Sequence, residues 1–393
     1  MSKQVDALVE PKLLVWARES LNLDIDTVAR KIHVKLEKLQ LWESGQTKPS
    51  IVQFKKLAHL YKRPLAVFYL SSPPKDFDAL HDFRKIAEAS AYYSPELLFL
   101  IRGVQEKREI YLELLEITES EVTKFNPTIQ RTTNYAQIAN HIRELLQVDI
   151  ETQFGWKGIY EALNSWKIAI ENLGVLVFQS SDVAVAEMRG FAIYNEQYPV
   201  IVINAKDSPK GRIFTLLHEF VHLLFRRGGV CILEEAGLDK DDEVFCNLLA
   251  GSVLVPDKIL EGLPIVKDVK SPREWSDEEI IMLADKFKVS REVIVRRLLS
   301  IGRTTKTFYE KKRAEFLKHS SIQKKTTKKG FLPVANKVVR DYGKPFVQTV
   351  LNAYYSDTIG ASAVSDYLGV RLKHLERITI LGSNYVSRQK VEV

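Results

Sequence analysis

The sequence predicts a multidomain α+β protein with four parts: an all-α helix-turn-helix head, a helical connector, a small α/β domain and a C-terminal helical module. Three observations support this. Short helical patterns separated by tight breaks fill residues 11–70, strand and helix patterns alternate over residues 133–305, and helical patterning returns after a basic stretch. A chain of 393 residues also exceeds the usual size of one hydrophobic core.

The composition indicates a globular protein, with 45% hydrophobic and 27% charged residues. No apolar run approaches the length of a membrane span, and the first residues lack the apolar core of a secretory signal. The two cysteines, Cys231 and Cys246, are too few for a disulfide framework, so we expect a cytoplasmic protein. The net charge of +7 is compatible with nucleic-acid binding without being diagnostic.

The head is predicted over residues 1–75, where neighbouring prolines mark its end. Its helices are expected at residues 11–22, from a cap at Asp24 or Asp26 to about Ile32, at 36–44, at 50–61, and after Pro64. The connector is predicted over residues 76–132, with helix throughout 84–125 and a restart at Pro95. A homodimer formed through this connector is an open alternative.

The α/β domain is predicted over residues 133–305. Its helices are expected at residues 135–146, 156–173, 211–225 and 242–253, with two more within 277–300. Its strands are expected at residues 175–179 and 184–188, followed by a strand pair within 190–204 that turns at Asn195 and Glu196.

The remaining chain is predicted to be a basic linker, residues 306–330, and a helical module, residues 331–393. The linker is expected either to add phosphate contacts or to act as a solvated spacer. Residues 358–375 have a helix–turn–helix rhythm around Gly369. No internal repeat is evident, although both ends of the chain carry a helix pair broken near a glycine.

A metal site is predicted from His218 and His222, which lie four residues apart and therefore on one face of a helix. Two imidazoles at this spacing can bind one Zn²⁺. Glu219 is placed to take a proton from an attacking water and to pass it to a leaving amine. The alternative is a surface or satisfied core histidine pair. The surrounding FTLLHEFVHLLF disfavours it, because ionisable groups in an apolar helix are costly unless paired or metal-bound.

A catalytic zinc usually has three protein ligands, and no third histidine follows at short spacing. A carboxylate is therefore expected from six candidates: Glu234, Glu235, Asp239, Asp241, Asp242 and Glu243. Glu243 is favoured, with Asp242 next, because Glu243 begins a helix that can pack against the zinc helix. Asn247, one turn later, is expected to hydrogen-bond a histidine ring. Cys246 is expected to be a small buried hydrophobic residue.

The same segments resemble the ImmA/IrrE family of metallopeptidases. The resemblance rests on RIFTLLHEFVHLLF, on ExxxNxxAxxxLVP from Glu243 to Pro256, and on the flanking RGFAIYNEQYPVIVIN and KFKVSREVIVRRLLSIG. It covers about residues 140–302. It implies a small gluzincin-like α/β fold with zinc ligands His218, His222 and Glu243 and the general base Glu219. The sequence departs from the family at Cys246 and Leu249, where Ala and Phe are usual.

Residues 11–70 resemble the repressor-type helix-turn-helix family. The matching positions are Val28, Ala29, Val34, Leu39, the run Trp42-Glu43-Ser44-Gly45, and Pro49-Ser50. The resemblance implies a recognition helix at about residues 35–44 that binds double-stranded DNA. Its exposed positions would be Lys35, Glu37, Lys38 and Gln40, with Leu41 as a further candidate. The alternative is a helical protein-interaction domain without DNA binding. Residues 331–380 resemble a C-terminal extension of longer ImmA/IrrE members, through GxxFVxxVLxAY and LGVxxKHL.

Two hypotheses about function follow. The first is a transcriptional regulator whose zinc endopeptidase domain cleaves a repressor or another partner protein. The second is a non-proteolytic regulator or antitoxin that binds DNA and a toxin partner through the same fold. The intact HExxH motif with Glu243 favours the first, because a pure binding protein has no need of Glu219. Residues 189–194 are a candidate edge strand for pairing with a substrate backbone.

Overall fold

The computed structural model describes residues 5–74, 93–130, 132, 134–225, 240–323 and 332–383. The chain divides into two compact units, an N-terminal unit of residues 1–105 and a C-terminal unit of residues 106–393. Both are mostly helical, and the sheet in the described residues lies in the C-terminal unit. Within the described ranges, no helix is long and apolar enough to cross a membrane.

The N-terminal unit contains the helices expected for a helix-turn-helix head. They are α1 (Pro11–Glu19), α2 (Ile25–Ile32), α3 (Leu36–Glu43), α4 (Ile51–Leu60) and a 3-10 helix (Leu65–Tyr69). Asp24, not Asp26, caps α2, because its side chain accepts a hydrogen bond from the Thr27 N–H at 2.7 Å. Ser50 and Gln53 form a capping box at the start of α4.

An ion pair fixes α3 against α1 in this unit. The Arg18 guanidinium donates to both carboxylate oxygens of Glu43, at 2.9 and 3.0 Å. The pair is largely shielded from water, and the hydrogen bond to Glu43 raises the pKa of Arg18 above its usual value. Leu39 and Trp42 on α3 are buried in the same core. The outer face of α3 is therefore held in a defined orientation.

The connector helix α5 (Pro95–Ile117) begins at the expected proline but ends earlier than expected. Residues 84–92 lie outside the described residues. The prediction of helix over residues 118–125 is wrong, because Glu119 adopts a left-handed backbone conformation with φ 50°. The chain then runs extended to Phe125, whose N–H donates to the Glu196 carbonyl at 2.8 Å.

The C-terminal unit contains a three-stranded mixed sheet of order β1-β3-β2. The strands are β1 (Leu176–Ser180), β2 (Gly190–Ile193) and β3 (Val200–Asn204), with β3 parallel to β1 and antiparallel to β2. The expected strand at residues 184–188 is wrong. The N–H groups of Glu187 and Met188 both donate to the Ala184 carbonyl, and this turn brings the chain to β2.

Helices surround this sheet in the C-terminal unit. Their bounds are α6 (Tyr135–Leu145), α7 (Ile150–Gly155), α8 (Ile159–Glu171), α9 (Pro209–Leu224), α10 (Lys240–Leu254), α11 (Asp257–Gly262), α12 (Pro264–Lys267), α13 (Asp277–Phe287), α14 (Arg291–Ser300), α15 (Lys306–Gln323), α16 (Val334–Tyr342), α17 (Lys344–Tyr355), α18 (Ala361–Leu368), a 3-10 helix (Leu372–His374) and α19 (Leu375–Ser383). The helices expected from the sequence between residues 135 and 300 are present, within a few residues of their expected ends.

Both faces of the sheet are covered, so its strands read as continuous apolar runs. Val177 and Ile201 belong to the main core together with α8 and α9. On the other face, the Phe178 ring packs edge-on against the Phe346 ring of α17, with the two ring centres 6.0 Å apart. The C-terminal module is therefore packed on the sheet.

A buried polar junction joins this module to α8. Lys167 donates to the Arg340 carbonyl at 3.1 Å and lies 3.7 Å from the Glu171 carboxylate. Burial raises the pKa of Glu171 to about 7. Gly343, with φ 73°, lies against this carboxylate, and a Cβ there would be 2.6 Å from Glu171 Oε1.

The basic stretch differs from the expected linker, because Lys306–Gln323 forms helix α15. Phe308 at its start is buried in the main core. Lys312 donates to Asp277 and Glu315, both at 2.9 Å. This part of the stretch is thus attached to the C-terminal unit, while residues 324–330 lie outside the described residues.

Candidate metal centre

Helix α9 places the HExxH motif in the middle of the C-terminal unit. Ser208 caps the helix by accepting from the Gly211 N–H at 3.0 Å, and Pro209 occupies its first turn. The helix packs against α8, α10 and the sheet. As a result His218, Glu219 and His222 are only 3%, 1% and 4% exposed. Three ionisable side chains are thus withdrawn from water on one helical turn.

Three ligand-type atoms meet at this turn. His218 Nε2 and His222 Nε2 lie 3.0 Å apart, and the Glu243 oxygens lie 3.3 and 3.2 Å from them. Ligands bound to zinc at about 2.0–2.1 Å in tetrahedral geometry are separated by roughly 3.3 Å. The observed spacing therefore fits one metal ion. Among the described residues, His218, His222 and Glu243 form a group of metal-ligating side chains whose ligand atoms all lie within 4.8 Å of one another.

The electrostatics favour the protonation states that a metal needs. Burial lowers the pKa of His218, so the imidazole is held neutral. Hydrogen bonds from His218 and His222 hold the pKa of Glu243 well below its usual range, so this carboxyl is held ionised. A neutral imidazole and an ionised carboxylate are the forms that bind a metal.

The other acidic candidates do not join the cluster in the described residues. Asp242 is buried and Asp241 is exposed, but neither contributes a ligand atom to the group of three. Glu234, Glu235 and Asp239 lie outside the described residues. Glu243 reaches the histidines because α10 packs against α9 and Glu243 lies on its first turn.

The expectation that Asn247 hydrogen-bonds a histidine ring is wrong. Its side-chain amide donates to the Glu243 carbonyl one turn earlier on α10, at 2.8 Å. The neighbouring Cys246 lies against a histidine instead, with its Sγ 3.7 Å from His222 Nδ1. Cys246 is buried, as expected. Cys246 and Asn247 lie three and four residues after Glu243, so both share its helix face and the sequence spacing alone does not choose between them.

Glu219 lies next to the histidines but not among the three ligand-type atoms. Its Oε2 is buried and has no hydrogen-bond partner among the described residues. Burial raises the pKa of Glu219 well above its usual value, and the charge of Glu243 adds to this effect. A buried carboxyl with unused hydrogen-bonding capacity is the arrangement expected of a general acid and base.

Gly190 brings the start of β2 close to Glu219, and the sequence analysis did not single it out. A Cβ at this position would lie 2.4 Å from Thr215 Cγ2, 2.8 Å from the Val202 carbonyl oxygen and 3.4 Å from Glu219 Cγ. Only glycine fits between α9 and β3 at this distance.

The N-terminal unit presents the expected face of α3. Lys35, Glu37, Lys38 and Gln40 are all exposed, and the Lys38 ammonium lies 5.6 Å from the centre of the Trp42 ring. Two cations, one acid and one amide therefore face outward from this helix.

The fold of the C-terminal unit and its cluster of His218, His222 and Glu243 are of the HExxH metallopeptidase type. This domain follows a helix-turn-helix domain in the chain. Comparison with protein-family models agrees with both parts. Residues 170–299 match the IrrE N-terminal-like domain of peptidase family M78, and residues 14–68 match a helix-turn-helix family. The chain carries these two domains, and the first match contains His218, Glu219, His222 and Glu243. No curated protein matches the chain.

Proposed function

We propose that this protein is a transcriptional regulator whose zinc-dependent endopeptidase domain cleaves a repressor or another partner protein to control gene expression. The observation that carries the proposal is the Glu219 carboxyl, buried beside a His-His-Glu cluster. A fold that used metal only for stability would need the three ligands but not this carboxyl. We further propose that the chain is organised as a head (residues 1–75), a connector (76–132), a peptidase domain (133–305), a basic linker that includes α15 (306–330) and a C-terminal module (331–393).

The site residues divide the chemistry between them. His218, His222 and Glu243 would hold the zinc ion. When bound, zinc lowers the pKa of a coordinated water and polarises the scissile carbonyl. Glu219 accepts a proton from the attacking water and donates it to the leaving amine. Because Glu219 is buried next to His218, both proton transfers take place at one carboxyl that is shielded from bulk water.

A substrate backbone has a place to pair beside Glu219. The Asn204 N–H donates to the Arg189 carbonyl at 2.7 Å, so these two residues form a hydrogen-bonded pair at the start of the antiparallel β2–β3 ladder. Hydrogen-bonded and non-hydrogen-bonded pairs alternate along such a ladder. Phe191 and Ile193 therefore bond to β3, while the N–H and C=O groups of Ala192 point away from it. An extended peptide that added to this edge would lie along the site. We propose residues 189–194 as the substrate-pairing strand.

The N-terminal unit would deliver this activity to DNA. A helix-turn-helix places the outer face of its second helix in the major groove. Lys35 and Lys38 can contact phosphates or guanine, Gln40 can read adenine, and Glu37 can accept from cytosine. These contacts support binding to double-stranded DNA, and their cations make the affinity depend on salt.

The proposal is tested by comparing cells that express the wild type with cells that express Glu219→Gln. New protein N-termini are identified by mass spectrometry, and partners are recovered with each tagged protein. We expect a terminus that depends on the wild type, and we expect its uncleaved parent protein to co-purify with Glu219→Gln. Lys210→Gln on the same helix is the matched control and should behave as the wild type, because Lys210 is paired on the surface with Asp285.

The non-proteolytic alternative makes the opposite forecast for this experiment. A regulator or antitoxin that only holds its partner would give no new terminus with the wild type. Glu219→Gln would then regulate its target genes as the wild type does. That pair of results would remove the peptidase function from the proposal.

A further inference from the structure

We propose that the C-terminal module contains a second helix-turn-helix unit, formed by α17, α18 and α19, that binds double-stranded DNA through Arg371, Lys373 and Arg377. This inference goes beyond the proposed function, which places DNA binding in the N-terminal unit. It rests on a residue-by-residue correspondence between the two ends of the chain.

The backbone of the two turns is the same at a constant offset of 336 residues. Helix α2 spans Ile25–Ile32 and α18 spans Ala361–Leu368. The next residues, His33 and Gly369, are left-handed, with φ 60° and 61°. Two positions later, Lys35 (φ −70°, ψ 145°) and Arg371 (φ −74°, ψ 144°) cap the following helical segment.

The hydrogen bonds of the turns also correspond. The Val34 N–H donates to the Ala29 carbonyl at 3.0 Å, and the Val370 N–H donates to the Ser365 carbonyl at 3.0 Å. The His33 and Gly369 N–H groups each donate, at 3.2 Å, to the carbonyl three residues earlier. Both turns thus close the first helix in the same way before the chain starts the second.

The buried side chains that hold the two helices together occupy equivalent positions. The equivalent buried pairs are Val28 and Val364, Ile32 and Leu368, Leu39 and Leu375, and Trp42 and Ile378. Within the helix pair, residues 25–43, four positions are identical at this offset: Val28 and Val364, Val34 and Val370, Leu36 and Leu372, and Leu39 and Leu375. The second helix of each pair therefore turns the same face outward.

The correspondence extends to the preceding helix. α1 ends at Glu19 and α17 ends at Tyr355, again 336 residues apart. The Ser20 hydroxyl donates to the Ala17 carbonyl at 2.9 Å, and the Ser356 hydroxyl donates to the Ala353 carbonyl at 3.2 Å.

The contact that joins the recognition helix to the first helix is also repeated. Glu43 pairs with Arg18, and the equivalent Thr379 hydrogen-bonds the Tyr355 hydroxyl at 2.9 Å, although Tyr355 corresponds to Glu19, the neighbour of Arg18. The repeat is therefore a three-helix unit. Both ends of the chain contain it, whereas the sequence pattern indicated only a helix pair broken near a glycine at each end.

The outward face of the second unit favours DNA over a protein partner. Arg371, Lys373 and Arg377 are exposed, and within the described residues none of the three forms an ion pair. One acid, Glu376, lies among these three cations, whereas α3 presents one acid among two. Such a face suits phosphates and guanine edges in the major groove. One difference is that Leu372–His374 is a 3-10 turn, whereas the α-helix of the first unit starts at Leu36.

The test uses the full chain and fluorescence anisotropy with a labelled mixed-sequence duplex at several salt concentrations. The variant is Arg371→Ala/Lys373→Ala/Arg377→Ala. The matched control, Lys258→Ala/Lys267→Ala/Lys270→Ala, removes the same charge from exposed positions elsewhere in the C-terminal unit. Both triples are measured with the wild-type head and with Lys35→Ala/Lys38→Ala/Gln40→Ala.

We expect the Arg371/Lys373/Arg377 variant to bind about tenfold or more weakly, and the slope of log affinity against log salt to fall by about 2 to 3. The lysine control should keep the wild-type affinity and slope. Arg371→Lys/Arg377→Lys should retain most of the slope, because it keeps the charges in place, and circular dichroism checks that each variant is folded.

Equal affinity and slope for the two triples, in both backgrounds, would overturn the proposal. A change in oligomeric state, measured by light scattering, with intact DNA binding would also overturn it and assign the face to protein contacts. The two head backgrounds separate this inference from the proposed DNA binding by the N-terminal unit. If Lys35→Ala/Lys38→Ala/Gln40→Ala by itself abolishes DNA binding, the second unit has no DNA affinity of its own. If that variant binds DNA as the wild type does, the N-terminal unit is not the DNA-binding part.

Discussion

Gly190→Ala gives the strongest stability effect that the structure predicts near the site. The new Cβ would lie 2.4 Å from Thr215 Cγ2 and 2.8 Å from the Val202 carbonyl oxygen, well inside van der Waals contact. The threonine methyl can move by a small amount, but the carbonyl belongs to the central strand and cannot. Overpacking of this kind costs about 1–3 kcal/mol, and relief by a shift of β2 would move the edge strand away from Glu219.

The assay is urea unfolding of the C-terminal unit in the full chain, together with zinc content. Gly155→Ala is the matched control, because a Cβ at Gly155 meets nothing within 4 Å. We expect Gly190→Ala to lower the unfolding midpoint clearly while Gly155→Ala leaves it nearly unchanged. Adding Thr215→Ser should recover only part of the loss, because it removes the methyl contact and leaves the carbonyl contact. Equal midpoints for the two alanine variants would refute the reasoning about this close approach.

Three further predictions concern the metal and the polar junction. Glu243→Ala should weaken zinc binding by a factor on the order of 10² or more, and excess zinc should partly restore function; equal zinc affinity by competition with a chelator would remove Glu243 from the ligand set. Cys246→Ala should weaken zinc binding by less than about tenfold, because a thiol near His222 is only a weak hydrogen-bond partner; the same titration measures it, with Cys246→Ser as control. Burial raises the pKa of Glu171 to about 7. Between the ordinary pKa of a glutamate and about pH 7, the folded protein therefore holds a proton that the unfolded chain has lost. Binding of this proton stabilises the folded state at low pH, and the stabilisation is lost as pH rises through about 7. Glu171→Gln carries no proton that it can lose, so its thermal midpoint should fall less between about pH 5 and pH 8 than that of the wild type; parallel pH profiles would contradict this.

Local patterns predicted much of the metal centre. His218 and His222 are placed together by helical spacing alone, and their helix was expected at residues 211–225, two residues short of its observed start at Pro209. Glu243 was favoured because a helix start can approach another helix, although nothing in the sequence showed that α10 packs on α9.

The remaining features depend on tertiary contacts that a single sequence does not show. The choice between Cys246 and Asn247 follows from the rotation of α10 about its axis, which packing against α9 determines. Residues 184–188 have strand-like composition, yet the chain needs a turn there to bring β2 antiparallel to β3. The C-terminal repeat was missed because its two copies share few residues and differ at the turn, where His33 stands opposite Gly369.

The most direct test of the central claim is the rate at which the trapped partner protein is cleaved by zinc-loaded wild type and by zinc-loaded Glu219→Gln. Glu219 lies beside the cluster without being one of its three ligand-type atoms, so the substitution should leave zinc content unchanged. The cleavage rate of Glu219→Gln should be lower by a factor on the order of 10² or more at equal zinc content. Cleavage by Glu219→Gln at the wild-type rate, with zinc fully bound in both proteins, would contradict it.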